Sequence, residues 1–210
     1  MTGEFQLRHH TDPAAIQDIL LDVYAEVYAA VIHEPFNTRE RFAQRLDGHV
    51  TGLRWEAVVG YDAAEPVGYI YGCALAPGSK WWADLEPPVI DAEFTAETGQ
   101  RTLAIFELMV RKPWRGTGAA HAIHEELVTT RPEQRSSLAV DHEHPRVRAM
   151  YERWGYRYVG AERPFPDAPL LDVMVRDLLW PARVEPEQDW AVEVLGCCDG
   201  PASPTQGRAM

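Results

Sequence analysis

The feature that most constrains the fold is the stretch at residues 103–128, LAIFELMVRKPWRGTGAAHAIHEELV. Its first eight residues are bulky and apolar apart from Glu107. A strand covered on both faces loses its polar alternation in this way. Residues 119–128 are good helix formers, with Ile123, Leu127 and Val128 at helical spacing. Between the two lie Arg115, Gly116, Thr117 and Gly118. A strand that enters a helix through two glycines presents free backbone N–H groups at the positive end of the helix dipole, an arrangement suited to phosphate. Glycine also lets the backbone approach a ligand with no Cβ in the way. Arg111, Lys112 and Arg115 add local positive charge. The nucleotide P-loop pattern and the dinucleotide glycine pattern are both absent from the sequence. Two readings of the loop stand: a phosphate cradle, or a tight turn with no ligand.

At 210 residues the chain is long enough for one domain with a sizeable core. The expected division is a domain over residues 1–180 and a Pro- and Glu-rich, largely disordered tail over residues 181–210. A formal net charge of −12 argues against nucleic acid and against an anionic membrane as partners. Cys73 lies in an apolar strand pattern, and Cys197 and Cys198 are adjacent in the tail. This usage fits a reducing compartment, and a cytoplasmic location is expected. His142 and His144 stand near Asp141 and Glu143 but lack a further ligand cluster, so no metal is expected.

Residues 5–8 read as a first strand. Asp12 followed by Pro13 starts a helix whose apolar stripe runs from Ile16 to Val31, ending near His33. Asn37 and Glu40 read as the capping box of a second helix. Strands are expected at residues 55–61 and 67–75, joined through residues 62–66. Residues 77–100 break the pattern with prolines, glycines, Trp81, Trp82 and five acids. They read either as an ordered lid or as a peripheral excursion whose tryptophans cover core. After the central strand and helix come a strand at residues 136–140, a helix at residues 146–154, and strands from residue 156 and over residues 170–178. Such mixing implies a sheet with helices packed on it.

The loop pattern Arg115-x-x-Gly118-x-Ala120 resembles the coenzyme A pyrophosphate loop of the GNAT superfamily of N-acetyltransferases. A second segment strengthens the resemblance. Residues 141–156, DHEHPRVRAMYERWGY, are similar to the GNAT segment ending in Ala-x-x-Tyr-x-x-x-Gly-Phe, with Ala149 one residue nearer Tyr151 and Tyr156 at the aromatic position. His144 stands where the family often has Asn. The resemblance covers roughly residues 5–178. It implies an α+β fold: a mixed, mostly antiparallel sheet of six to seven strands with helices on both faces.

The resemblance also implies acetyl-coenzyme A as acyl donor and a small-molecule amine as acceptor, and leaves a homodimer open. It implies that backbone N–H groups of Met109 and Val110 meet the acyl–pantetheine arm. It places the pyrophosphate on N–H groups of Arg115, Gly116, Thr117, Gly118, Ala119 and Ala120, with a further contact from His144. Tyr151 falls on the family's general acid, and a phenol is a proton donor at neutral pH. Glu107 is the candidate base, because burial raises a carboxylate toward the useful range. A carboxylate bonded to a backbone group or an arginine is the other reading of Glu107. Two rival functions remain: a non-catalytic acyl-coenzyme A-binding protein on the same fold, and an acetyltransferase acting on proteins or peptides. The acids of residues 77–100, with Trp81 and Trp82, suggest a wall that attracts a cationic acceptor.

Overall fold

The computed structural model describes residues 5–87 and 91–178. The expected tail, with Cys197 and Cys198, lies outside them. Seven strands form one sheet: β1 (Phe5–His10), β2 (Leu53–Asp62), β3 (Glu65–Ala74), β4 (Thr102–Val110), β5 (Arg135–Asp141), β6 (Arg157–Glu162) and β7 (Leu171–Asp177). Their spatial order is β1-β2-β3-β4-β5-β7-β6. Every pairing is antiparallel except β4 with β5. The helices are α1 (Gln17–Val27), α2 (Arg39–His49), the single turn α3 (Ala92–Thr95), α4 (Ala119–Thr130) and α5 (Pro145–Arg153).

Strand alternation divides the core between the two faces of the sheet. Val58, Val67, Ile70, Leu103, Ile105 and Met174 pack with Ile123 and Leu127 of α4 and with Tyr151 of α5. Ala57, Val59, Tyr69, Tyr71 and Met109 pack with Leu20, Val23 and Tyr24 of α1 and Phe42 and Leu46 of α2. Gly60 allows α4 to come close, since a Cβ there would lie 2.8 Å from the side chain of Ile123.

Part of the segment at residues 77–87 and 91–100 joins the core of the second face. Trp82 and Leu85 are buried with Leu75, Ala104, Val173 and Val175. Glu97 fixes the segment, accepting hydrogen bonds from Trp82 Nε1 (2.9 Å), Thr102 Oγ1 (2.7 Å) and Arg135 Nη2 (3.0 Å). The guanidinium of Arg135 lies over the rings of Trp82 (4.9 Å) and Phe94 (4.4 Å). Of the two readings of this segment, the one in which the tryptophans cover core describes Trp82, and Arg135 occupies the Trp82 face that the sequence reading offered to an acceptor.

The helical segments near the N-terminus differ in their ends. Asp12 caps a short 3-10 turn at Pro13–Ala15, accepting from the N–H of Ala14. α1 ends at Val27, six residues before His33, because Tyr28 leaves helical geometry and stacks its ring on Tyr24 at 4.6 Å. The cap of α2 is Thr38, whose Oγ1 accepts from the N–H of Arg41 at 3.1 Å. Asn37 instead donates to Glu34.

Candidate active site

The parallel pair β4–β5 is in register only from Thr102/Arg135 to Ile105/Leu138. Beyond that point the two strands part. The register with β3 shifts at the same level, where Tyr71 faces Glu107 and Gly72 faces Ile105, so Phe106 is an extra residue in β4. A bulge bends its strand and leaves its ladder locally unpaired. Here it also keeps Phe106 and Glu107 on the α1–α2 face, where Phe106 stacks on His49 at 3.9 Å. The sequence contains no sign of this bulge, since an apolar run does not carry register.

Past the bulge, β4 has one free edge. The N–H of Arg111 bonds to Val67 O, so alternation turns the amide of Met109 toward its partner Tyr69 in β3. Leu108 and Val110 therefore present their backbone groups to the gap. The sequence reading expected the N–H groups of Met109 and Val110 to meet an acyl–pantetheine arm; in the register with β3 the amide of Met109 faces Tyr69, while those of Leu108 and Val110 face away from β3. The carbonyl of Val110 accepts from Arg115 Nε at 3.0 Å.

The gap leads to the loop before α4. Gly116 and Gly118 have φ of 76° and 93°, which side chains rarely tolerate. The N–H groups of Gly116, Gly118, Ala119 and Ala120 have no acceptor among the described residues, and Ala122 makes the first helical bond, to Gly118 O. Those of Arg115 and Thr117 are turned inward, to Lys112 O and Trp114 O. Four of the six expected amides are thus free to meet an anion, together with the helix dipole. Arg111 is held by Glu26 (3.1 Å) and Glu65 (3.4 Å), leaving Lys112 and Arg115 as the cations nearer the loop. His144 is the cap of α5; its Nδ1 lies 3.2 Å from Asp141, and its side chain is largely exposed.

Glu107 and Tyr151 approach the gap from opposite faces of the sheet. The Glu107 side chain is only 14% exposed, and burial pushes its carboxyl up to about 7. Arg45 of α2 opposes this rise from 4.0 Å. Arg45 is itself fixed. It donates to Phe36 O (2.7 Å) and to the hydroxyl of Tyr24 (3.3 Å), and it lies 4.2 Å from the centre of the Phe36 ring. The sequence reading had no place for Arg45; an arginine on the inward side of α2, in step with Phe42, was the available signal.

Tyr151 is buried against Trp154 and Tyr156. Its hydroxyl makes no hydrogen bond among the described residues, and burial, then the charge of Glu107, keeps it protonated well above the ordinary phenol range. Around Glu107 the α1–α2 face is aromatic, with Tyr24, Tyr28, Tyr69 and Tyr71 all feeling its charge. Burial lowers His49, which borders the same space, to about 4, so it is neutral at physiological pH.

Solved structures share this architecture. An acetyltransferase of the GNAT family from Streptococcus agalactiae matches with a TM-score of 0.59 at 15% identity, over 83% of this chain and 95% of its own. This chain has the GNAT fold. A chimeric spermidine N-acetyltransferase from Vibrio cholerae matches at 0.53 and 14% identity, over 82% and 95% of the two chains. An IAA acetyltransferase from Bacillus cereus matches at 0.56 and 12% identity, over 83% and 100%. No family model matches the sequence, and no curated protein matches it. The GNAT resemblance led to an expected mixed, mostly antiparallel sheet of six to seven strands, and the sheet observed is of that kind, with seven. Among the described residues no helix is long and apolar enough to cross a membrane.

Proposed function

We propose that the chain is an acetyl-coenzyme A-dependent N-acetyltransferase that acetylates the amine of a small molecule by direct attack on the thioester. The reading rests on one observation above the rest: β4 and β5 part beyond Ile105 and Leu138, with a buried carboxyl and a buried phenol on the two sides of the gap.

Acetyl-coenzyme A supplies an activated acyl group. The free amides of Gly116, Gly118, Ala119 and Ala120 suit its pyrophosphate, and the open edge at Leu108 and Val110 offers donors to an extended amide-bearing arm. Glu107, held near 7, takes a proton from the acceptor's ammonium, directly or through water. The Tyr151 hydroxyl, protonated at any physiological pH, returns a proton to the departing sulfur. No enzyme nucleophile is required, and the buried thiol of Cys73 is pushed up to about 11, which suits packing.

Incubation with acetyl-coenzyme A and a library of amines, read by thiol release, tests the proposal. Acetylated product with a small amine is the expected result. Tight coenzyme binding without turnover would favour a binding protein, and transfer to peptides alone would favour the protein-directed alternative.

A further inference from the structure

Glu162 stands apart from the chemistry assigned so far. It ends β6, is 9% exposed, and its side chain makes no hydrogen bond or ion pair among the described residues. Burial pushes its carboxyl up to about 7, and the charge of Asp84 adds to the rise. A desolvated carboxylate with only another acid for company is costly unless a cation arrives.

Strand register fixes where it points. Glu162 and Asp141 both pair with Leu171 of β7, so all three share one face. The next residue of β7, Asp172, bonds to His142 and to Arg148 of α5, so the opposite face is the α5 side. Glu162 is therefore on the α1–α2 face, as is Glu107; Asp141 stands at the end of β5, where its carboxylate accepts from the N–H of Glu143 (2.9 Å) and meets Nδ1 of His144 (3.2 Å). Tyr28 feels the charges of both Glu107 and Asp141, which ties the β4 end of this row to the β5 end. The β6–β7 connection reaches across the same face, where Asp167 pairs with Arg41 of α2 at 3.0 Å. Three strand intervals separate Glu107 from Glu162, and because β4 and β5 have parted at this level the span is more than about 14 Å before side-chain reach is counted.

Building on the acetyltransferase reading, we propose that the acceptor is an elongated aliphatic polyamine, with its reacting nitrogen at Glu107 and a distal ammonium bound by Glu162 and Asp84. The insert of residues 77–100 thus contributes through Asp84 beside Glu162, while its tryptophans remain in the core. The two anchors would select by length: a short diamine cannot reach both, and a monoamine of full length lacks the second charge.

The test compares 1,8-diaminooctane, n-octylamine and 1,3-diaminopropane as acceptors for acetyl-coenzyme A. The long diamine is expected to exceed both others at least tenfold in kcat/KM, through KM. Glu162→Gln should bring the preference for diaminooctane over octylamine close to one, and Asp84→Asn, a change at an exposed residue, should weaken it in the same direction. Equal use of octylamine and diaminooctane by the unaltered protein would overturn the proposal. So would a Glu162→Gln variant that loses both acceptors in proportion. Calorimetric titration of diaminooctane separates this failure from failure of the acetyltransferase reading. Binding that weakens tenfold in Glu162→Gln supports the polyamine site even if no amine is acetylated, and absence of binding to the unaltered protein refutes it.

Discussion

The guanidinium of Arg45 stands 4.0 Å from the carboxylate of Glu107, too far for a hydrogen bond and close enough to set its charge state. Burial raises the carboxyl to about 7, and Arg45 keeps it from rising further. A base is most effective when its pKa lies near the working pH.

The acid limb of the kcat/KM profile should therefore bend near pH 7, with activity falling below the bend as Glu107 gains a proton. Glu107→Gln should lower turnover about 10²-fold and remove the bend. Arg45→Met removes the opposing charge, so the bend should move to higher pH and the rate at pH 6.5 should fall by about three- to tenfold. A bend that stays in place in the Met variant would show that Arg45 is packing only.

Tyr151→Phe preserves the ring contacts with Trp154 and Tyr156 and removes one hydroxyl. Turnover should drop by about 10² while coenzyme affinity, measured by calorimetry, is little changed. Full activity in the Phe variant would leave Tyr151 a core residue.

Gly118→Asp places a side chain at φ 93° and a negative charge among the free amides before α4. Coenzyme affinity should fall at least about tenfold, or about 1.4 kcal/mol. A Cβ at this position meets no atom within 4 Å, so the cost is local strain at positive φ, and circular dichroism should show the helices and sheet retained.

Glu125 links α4 to β7 through His124 and Arg176, which hold its carboxyl down at about 2. A depressed carboxyl contributes stability above its unfolded pKa of 4.5 and loses it as pH falls toward 2. Solvent screening at this half-exposed site leaves a contribution on the order of 1 kcal/mol. Thermal melts should show Glu125→Gln destabilised at pH 7, with a smaller loss of stability than the parent chain between pH 4.5 and pH 2.

Local chemistry was legible in the sequence. The apolar run of β4, the glycines at 116 and 118 and the helix formers of α4 state a buried strand, a left-handed turn and a helix, each set by neighbours in the chain. Tyr151 in its motif and Glu107 as the one charge in an apolar run were likewise visible. Contacts between distant segments were not. The bulge at Phe106, which chooses the face of Glu107 and turns the amides of Leu108 and Val110 away from β3, depends on register with β3. Arg45 reaches Glu107 from a different helix, and Glu97 draws Trp82 and Arg135 into the core. Asp141 and Glu162 share a face only because both pair with Leu171. Propensity and periodicity act over a few residues. Register, burial and the pKa values that follow from burial arise only when strands remote in sequence come within about 5 Å of one another.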